Sequence, residues 1–239
     1  MSSEAQTAVI VGVGPGLGTA LARRLAEEEM KLALVARSKD RISKLAEELD
    51  FIASEATAYV ADATKESDVR NLFEAVSEDL GLPDLVIFNA GASQRRSILE
   101  VGTSDLEDQW RQNCLGGFLV GREALRMMVP RGEGTLLFSG STGSVSAAAG
   151  FAGFSVGKFG LRALAQSMAR EVGPLGVHVG HIVIDGEILS ERNRQALVDR
   201  SPDEFLTPEA TAEAFLQLHR QKRSAWSFEM DLRPWKERF

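Results

Sequence analysis

Short apolar runs alternate with segments of helical periodicity along most of the chain. The run KLALVA at 31–36 is almost continuously apolar, which is typical of a strand buried on both faces of a parallel sheet. Other short apolar or β-branched runs, bounded by turn residues, indicate further strands. Strands are predicted at residues 7–12, 31–36, 56–60, 85–88, 135–138, 177–184 and 226–232.

The segments between these strands place their apolar residues on one helical face. The first helix opens at the glycines of 14–18 and ends before the acidic residues at 27–29. Ser104 and Glu107 have capping-box spacing, which predicts that a long helix starts there. Thr207 and Pro208 suit the N-cap and first position of a later helix. Helices are also predicted over residues 40–49, 66–80, 104–129, 154–172 and 208–218.

Strands that alternate with helices in this way predict an α/β fold. The expected architecture is a doubly wound parallel sheet with helices on both faces. No break in the pattern marks a domain boundary, so residues 1–239 are predicted to form a single domain. The polar segment 189–207 is expected to form a loop region on the substrate side, because ligands of such sheets bind beyond the carboxyl ends of the strands.

Charge and composition exclude several classes of partner. The chain has 27 Lys and Arg against 34 Asp and Glu, a net charge of −7, so counterion release offers little affinity for nucleic acid. The apolar stretch 8–13 is too short to span a membrane. The single cysteine, Cys114, forms no internal disulfide and suits a reducing compartment, so a cytoplasmic location is predicted. His178 and His181 lack further ligands at metal spacing, and no metal is assigned.

A glycine cluster follows the first predicted strand and opens the first helix. In this context backbone N–H groups and a helix N-terminus approach a pyrophosphate, although a merely tight turn is the alternative. The second strand ends at Arg37, with no acidic residue before Asp40. An acid there would hold a ribose hydroxyl, whereas a cation suits a 2′-phosphate, so NADP(H) is the predicted cofactor. A solvated loop charge is the alternative role for Arg37.

Several ordered motifs resemble those of the short-chain dehydrogenase/reductase (SDR) family between about residues 7 and 188. The family's TG-x3-G-x-G motif aligns with Gly12, Gly16 and Gly18, with Val11 in place of threonine. Its S-x12-Y-x3-K motif aligns with Ser141, position 154 and Lys158, and position 154 is phenylalanine. Its Asn-Ala-Gly segment, the acidic residue after strand three and the helix asparagine align with Asn89-Ala90-Gly91, Asp62 and Asn113.

The resemblance implies a Rossmann fold and a set of site residues. The implied catalytic positions are Asn113, Ser141, Phe154 and Lys158. The predicted cofactor-binding residues are Gly12, Gly14, Gly16, Leu17, Gly18, Arg37, Asp62, Asn89, Ala90, Gly91, Lys158, Asp185, Gly186 and Ile188. Asp185 and Gly186 align with a Pro-Gly pair of the family, so Asp185 stands where the family has proline.

Phe154 changes the implied mechanism. In the family a tyrosine hydroxyl protonates the carbonyl oxygen, lysine holds the ribose and lowers the tyrosine pKa, and serine orients the substrate. The chain's one tyrosine, Tyr59, lies on the third predicted strand and comes too early in the chain to substitute. A positioned general acid contributes about 10²–10⁴-fold in rate, so ordinary ketone chemistry is expected to be slow.

Three interpretations stay open. Lys158 or a water bound to it supplies the proton while Ser141 polarises the acceptor, or the substrate is an iminium or conjugated alkene that needs no such acid. An acid at Asp185 would suit a cationic substrate. In the third interpretation the protein is a non-catalytic NADP(H)-binding sensor or partner subunit. The predicted function is therefore that of an NADP(H)-dependent oxidoreductase acting on a small carbonyl, imine or conjugated substrate, with the sensor as the alternative.

The predicted substrate pocket is apolar with a basic rim, and the protein is predicted to be a homodimer or homotetramer. Segments 92–96, 147–151 and 189–194 are expected to wall the pocket. Phe151, Phe154 and Ile188 are its apolar residues, and Arg95, Arg96 and Arg192 its rim. Apolar helix stripes at 110–127 and 161–172 could serve an interface or the core, as could Trp226, Phe228, Trp235 and Phe239.

Overall fold

The computed structural model describes residues 5–190 and 193–236. Seven strands form one parallel sheet in the order β3-β2-β1-β4-β5-β6-β9, and β7 pairs separately with β8. The strands are β1 (Thr7–Val11), β2 (Lys31–Ala36), β3 (Glu55–Val60), β4 (Leu85–Phe88), β5 (Thr135–Ser139), β6 (His178–Ile184), β7 (Glu187–Ile188), β8 (Phe205–Leu206) and β9 (Glu229–Leu232). The helices are α1 (Leu17–Ala26), α2 (Lys39–Leu49), α3 (Glu66–Asp79), α4 (Thr103–Trp110), α5 (Gly116–Met128), α6 (Ala152–Val172) and α7 (Pro208–His219).

Helices cover both faces of this sheet, which explains why its central strands are almost continuously apolar. Strands β1, β4, β5 and β6 are buried along their whole length. One apolar core lies between the sheet and α1, α2 and α7, and the other lies between the sheet and α3, α5 and α6. The predicted doubly wound α/β fold is confirmed.

The strand order reverses at β1, which lies between β2 and β4. A doubly wound sheet leaves a crevice at this point, beyond the carboxyl ends of the strands. The glycine turn that follows β1 therefore opens into the crevice, as does the Asn-Ala-Gly segment that follows β4.

The long helix predicted at 104–129 contains an irregularity and begins differently. It starts at Thr103, and the amide of Gly102 donates to Asp105 Oδ2 at 3.2 Å, so the predicted capping box of Ser104 and Glu107 is wrong. Residues Arg111–Leu115 form a π-helical turn between α4 and α5. Asn113 lies in that turn and donates to the carbonyl oxygen of Gln109 at 2.8 Å. A side chain bonded to the preceding turn in this way locally competes with regular helix geometry.

The C-terminal part departs most from the predicted pattern. The last strand begins at Glu229, because Trp226 instead stacks on the ring of His178 at 4.9 Å. The β7–β8 pair was not predicted. The predicted cap of α7 is confirmed, since Thr207 Oγ1 accepts from the amide of Ala210 at 3.3 Å. Arg192 and Phe239 lie outside the described residues.

The predictions about metal binding and membrane spans can be compared with the buried histidines and the helices of the structure. His178 and His181 are both buried in β6, and burial lowers the pKa of His181 to about 4 against the opposing effect of Glu229. Among residues 5–190 and 193–236, no group of three potential ligands is arranged to hold a metal ion. Nor does that part of the chain contain a helix long and apolar enough to cross a membrane. Cys114 is a free thiol and only partly buried.

Candidate nucleotide cleft and reaction site

A cavity of about 560 Å³ lies beyond the carboxyl ends of β1 to β4. Most of the residues predicted to bind the cofactor line this cavity. These are Gly12, Gly14, Gly16, Leu17, Gly18, Arg37, Asp62, Asn89, Ala90, Gly91 and Ile188. The lining also includes residues that the sequence analysis missed: Pro15, Ser38, Arg41, Thr64, Gln112 and Ser190.

Glycine is required in the turn because the backbone is close to a neighbouring segment. Gly12 has a φ of +101°, and a Cβ atom there would lie 2.4 Å from the amide nitrogen of Ala90. A Cβ at Gly18 would lie 2.8 Å from the carbonyl oxygen of Gly12. Gly14 differs, since a Cβ at that position meets nothing within 4 Å. The turn leads directly into the N-terminus of α1, where unpaired N–H groups favour a bound anion.

Asn89 joins this turn to the neighbouring strand. Its Nδ2 atom donates to the carbonyl oxygen of Gly12 at 3.0 Å, and its Oδ1 atom accepts from Ser139 Oγ at 2.9 Å. The amide thus connects the glycine turn to β5, whose end leads to the other predicted catalytic residues. The position of the turn is fixed from both sides.

Two exposed arginines lie at the outer end of the cavity. Arg37 follows β2, and Arg41 lies in the first turns of α2. In the described part of the chain, neither guanidinium makes a hydrogen bond or an ion pair. Arg41 follows Arg37 at the spacing of one helical turn, a signal that could have found it.

Asp62 lies in the same part of the cavity and is held by its own turn. Its Oδ1 atom accepts from the amide of Thr64 at 3.0 Å and from Thr64 Oγ1 at 2.8 Å. Burial acts to raise the pKa of Asp62, but these hydrogen bonds and the charges of Lys65 and Arg37 outweigh it and lower the pKa. Asp62 is therefore a fixed carboxylate on the cavity wall.

Four predicted catalytic positions, Lys158 among them, come together around α6; none of them is in the cavity lining, but Asn113 and Lys158 approach Gly91, which is. Lys158 is buried, and its Nζ atom donates to the carbonyl oxygen of Ser139 at 2.8 Å. Burial lowers the pKa of Lys158 from 10.5 to about 8. A Cβ at Gly91 would lie 2.7 Å from Asn113 Oδ1 and 3.5 Å from Lys158 Nζ, so both polar groups approach the bare backbone beside the cavity.

Several buried polar atoms in this neighbourhood have no partner among the described residues, and two of them, Asn113 Oδ1 and Ser141 Oγ, belong to predicted catalytic positions. The amide of Ser141 donates to Ser144 Oγ at 3.1 Å, so Ser144 has a structural role in the loop while the hydroxyl of Ser141 stays unbonded. Leaving such groups unsatisfied costs about 1–3 kcal/mol each, which a hydrogen-bonding ligand would offset.

Phe154 lies between Ser141 and Lys158. A Cβ at Gly143 would lie 2.7 Å from a ring carbon of Phe154 and 3.2 Å from Ser141 Oγ. Lys158 Nζ lies 6.0 Å from the centre of the same ring. The aromatic position is thus in place but carries no proton. Tyr59 does not replace it, because its hydroxyl donates to Asp79 Oδ2 at 2.8 Å, and burial with the nearby acids raises its pKa.

Asp185 and Gly186 lie outside the lining of the cavity. Thr142 Oγ1 donates to Asp185 Oδ1 at 2.7 Å, and Arg233 Nη2 lies 3.4 Å from the other carboxylate oxygen. Asp185 shares the Arg233 guanidinium with Asp231, which lies closer to it. That Asp185 and Gly186 contact a cofactor stays a prediction.

The predicted substrate side has an aromatic wall and one of the predicted basic groups. The rings of Phe151 and Phe154 meet edge to face at 6.5 Å. Arg95 lies over the Phe151 ring, whereas Arg96 forms an ion pair with Asp105. Ile188 lies on the cavity side, at the start of the 189–207 region.

The residues present fit a dinucleotide with a nicotinamide ring. The glycine turn exposes bare backbone to the cavity, with open space at Gly14, and the unbonded polar atoms of Asn113 and Ser141 lie outside the cavity lining, with Asn113 Oδ1 close to Gly91 of that lining. The arrangement provides an anion site at a helix N-terminus, cations at the ribose end and hydrogen-bonding groups at the reaction end.

Comparisons with known proteins agree with this geometry. Residues 6–201 match the short chain dehydrogenase family. The chain is 32% identical over 196 residues to sorbitol-6-phosphate 2-dehydrogenase of Escherichia coli, covering 81% of this chain and 75% of that protein. It is 30% identical to an NADPH-dependent pterin aldehyde reductase of Arabidopsis thaliana, covering 87% of each.

A solved short-chain dehydrogenase from Rhodopseudomonas palustris has a TM-score of 0.82 and 34% identity, with 96% of this chain and 99% of that chain covered. Among the curated relatives, the aligned part spans from 65% to 87% of the relative's own length. The family match covers most of the chain, and the sheet has the same architecture. The chain therefore belongs to the short-chain dehydrogenase/reductase family of oxidoreductases, whose members bind nicotinamide cofactors.

Proposed function

We propose that the protein is an NADP(H)-dependent oxidoreductase that transfers hydride to or from a small carbonyl, imine or conjugated substrate. The observation that carries the proposal is the convergence of Asn113, Ser141 and Lys158 beside the glycine-lined cavity, with two of their polar atoms unbonded. If the glycine turn had only a structural role, nothing would require Asn113, Ser141 and Lys158 to lie together beside it.

The preference for NADP(H) rests on the outer end of the cavity. Arg37 and Arg41 are exposed there, and neither guanidinium makes a hydrogen bond or an ion pair with a described residue. A guanidinium binds a phosphate monoester through two parallel hydrogen bonds, which suits a 2′-phosphate. No acid precedes Asp40 to bind a free ribose hydroxyl. The NADPH-dependent reductase of Arabidopsis thaliana is consistent with this choice.

When bound, the nicotinamide cofactor supplies or accepts the hydride. Ser141 is free to donate its hydroxyl hydrogen to the oxygen of the substrate. Lys158 holds a proton that it can exchange near neutral pH, because burial brings its pKa to about 8. Asn113 fixes the π-helical turn next to Lys158 and offers its free Oδ1 atom to a bound water or the lysine. Residues 189–207 complete the substrate side.

Phe154 removes the most direct route for the proton. Lys158 therefore acts through a water as the proton source, or the substrate needs no acid at its heteroatom. Arg233, which Asp185 shares with Asp231, and the hydrogen bond from Thr142 reduce the attraction of Asp185 for an iminium. The route through Lys158 is accordingly preferred. We also propose that the protein is a cytoplasmic homodimer or homotetramer that acts on a small molecule and binds no nucleic acid.

A second candidate function is a non-catalytic NADP(H)-binding sensor or partner subunit. Phe154 favours it, because a ring without a hydroxyl between Ser141 and Lys158 would suppress ketone chemistry. The sensor predicts tight cofactor binding without hydride transfer to any bound ligand. The oxidoreductase predicts transfer as well as binding.

The test is a calorimetric titration of the protein with NADPH and NADH at a stated salt concentration. We expect NADPH to bind at least about tenfold more tightly, which corresponds to about 1.4 kcal/mol. Arg37→Ser should remove most of this preference without weakening NADH binding. Arg70→Ser, an exposed arginine on α3 outside the cavity, is the matched control and should keep it. If neither cofactor binds, the glycine turn is structural and the proposal fails.

A further inference from the structure

The loop after β4 presents two neighbouring arginines in different states. Arg96 forms an ion pair with Asp105, and its amide donates to the carbonyl oxygen of Gly150 at 2.8 Å. Arg95 is exposed and makes no hydrogen bond or ion pair with any residue of 5–190 or 193–236. The charge of Arg96 is therefore used within the protein, while the charge of Arg95 is available to a ligand.

Arg95 is nevertheless held in a defined place. Its guanidinium carbon lies 6.0 Å from the centre of the Phe151 ring. Gly150 has a φ of +86°, and a Cβ there would lie 3.1 Å from Arg95 Cγ and 3.4 Å from Arg95 Nε. The arginine stem thus occupies space that the glycine leaves free. The Arg96–Gly150 hydrogen bond ties the two loops together at the same point.

The aromatic wall connects Arg95 with the reaction end. Phe151 contacts Phe154 edge to face, and Phe154 lies beside Ser141 Oγ across Gly143. A ligand that extends from Ser141 towards Arg95 would therefore pass along two apolar rings. A guanidinium lying over an aromatic ring still presents its N–H groups at its edge, where they match the two oxygens of a carboxylate or phosphate.

We propose that the substrate is a carbonyl compound with an apolar body and an anionic group, a carboxylate or a phosphate, which Arg95 binds at the mouth of the pocket. This inference rests on the proposed oxidoreductase function and names its substrate class. The protein carries a net charge of −7, so its overall field repels an anion and a local unpaired cation is needed to select one. A substrate body that covers Phe151 excludes water from the guanidinium and strengthens the pairing.

The test measures ligand binding to the complex of the protein with NADP⁺, by calorimetry. The probes are 4-acetylbenzoate and 4-(4-acetylphenyl)butanoate, each compared with its neutral methyl ester, together with 4-acetylphenyl phosphate. We expect at least one anion to bind about tenfold or more tightly than its neutral counterpart. Comparing the two carboxylates measures the reach to Arg95, and the phosphate distinguishes the two anionic groups. Higher salt should reduce the preference.

Arg95→Met retains the stem and removes the charge, so it should abolish the preference for anions while the methyl esters and NADPH bind as before. Arg70→Met, with a similarly exposed arginine far from the loop, should keep the preference. An anion-to-ester ratio that is unchanged in Arg95→Met overturns the inference, as does failure of every probe to bind. If NADPH itself does not bind the unmodified protein, the proposed function fails. Intact NADPH binding without a preference for anions defeats the substrate assignment alone.

Discussion

The cofactor end, at the glycine turn, and the reaction end, around Lys158, differ in what determines their shape. At the cofactor end the shape is set by backbone: Gly12 approaches the amide of Ala90, and Asn89 braces the turn with two hydrogen bonds. At the reaction end it is set by two buried oxygen atoms that lack partners, Asn113 Oδ1 and Ser141 Oγ, and by a lysine whose charge is poorly solvated. The glycine turn is packed and braced before a ligand arrives, whereas the two unpaired oxygen atoms of the reaction end gain partners only from a ligand.

This difference has an energetic consequence. Backbone packing at the glycine turn contributes to the stability of the fold itself. Each unsatisfied polar group at the reaction end lowers that stability by about 1–3 kcal/mol. Substitutions at the first end should therefore damage folding and binding together, while substitutions at the second should separate stability from chemistry.

The largest expected effect sharpens the account of the reaction end. Phe154→Tyr places a phenol between Ser141 and Lys158, so reduction of 4-acetylbenzoate by NADPH should accelerate by about 10²-fold or more, the usual contribution of a positioned acid. The measurement is the rate of NADPH oxidation at saturating cofactor. Phe151→Tyr, one ring further out, is the control and should give no such gain. An unchanged rate with a ketone that demonstrably binds would count against the account.

The next effect concerns the cofactor end. Gly12→Ala introduces a Cβ atom against the backbone of Ala90 at a positive φ, so neither partner can move aside cheaply. The free energy of unfolding should fall by about 3 kcal/mol, and NADPH binding should be lost with it. Gly14→Ala has open space at the same turn and should change stability by less than about 1 kcal/mol. Urea unfolding checks both, and equal losses would contradict the close packing at Gly12.

The smallest expected effect concerns how much the burial of Lys158 lowers the free energy of unfolding. The folded pKa of Lys158, about 8, lies below its unfolded value, so between pH 8 and about 10.5 the unfolded state binds more protons and folding gains stability as pH rises. Lys158→Met lacks this dependence. At pH 7 we expect the variant to be about 1–3 kcal/mol more stable than the original protein, a margin that shrinks towards pH 10.5, while hydride transfer is lost.

Parallel urea titrations of Lys158→Met and the original protein at pH 7, 8, 9 and 10 provide the measurement. Lys44, an exposed residue on α2, gives the matched control as Lys44→Met, which should show no such pH dependence relative to the original protein. A variant that is less stable at pH 7 by several kcal/mol would mean that the charge of Lys158 is well accommodated in the fold.

The sequence predicted best those elements and site residues that a local pattern or a family motif marks. Apolar runs such as 31–36 predicted the strands of the parallel sheet, and the resemblance to the short-chain dehydrogenase/reductase family implied that Asn113, Ser141, Phe154 and Lys158 belong to one site. The first expectation rests on the local pattern of a buried strand, whereas the second rests on the family's motifs, because Asn113 and Ser141 lie on other elements than Phe154 and Lys158. Thr207 and Pro208 likewise predicted the start of α7.

Features that depend on distant partners could not be predicted. Arg233 pairs with Asp185 from 48 residues further along the chain, and Asp105 binds Arg96 instead of leaving it at the rim. The π-helical turn at Arg111–Leu115 contains an asparagine side chain that bonds to the preceding turn, which periodicity does not reveal. Trp226 ends as a stacking partner of His178 and not as part of a strand.

The most direct test of the central claim is isotope transfer by the unmodified protein. NADPH in which both hydrogens at carbon 4 of the nicotinamide are deuterium is incubated in excess with the protein and 4-acetylbenzoate, and the alcohol is analysed by mass spectrometry. The account predicts that deuterium appears on the carbinol carbon, slowly in the original protein and faster in Phe154→Tyr. Tight binding of both ligands with no deuterium in any product, in either protein, would contradict it and leave the cleft as a cofactor sensor.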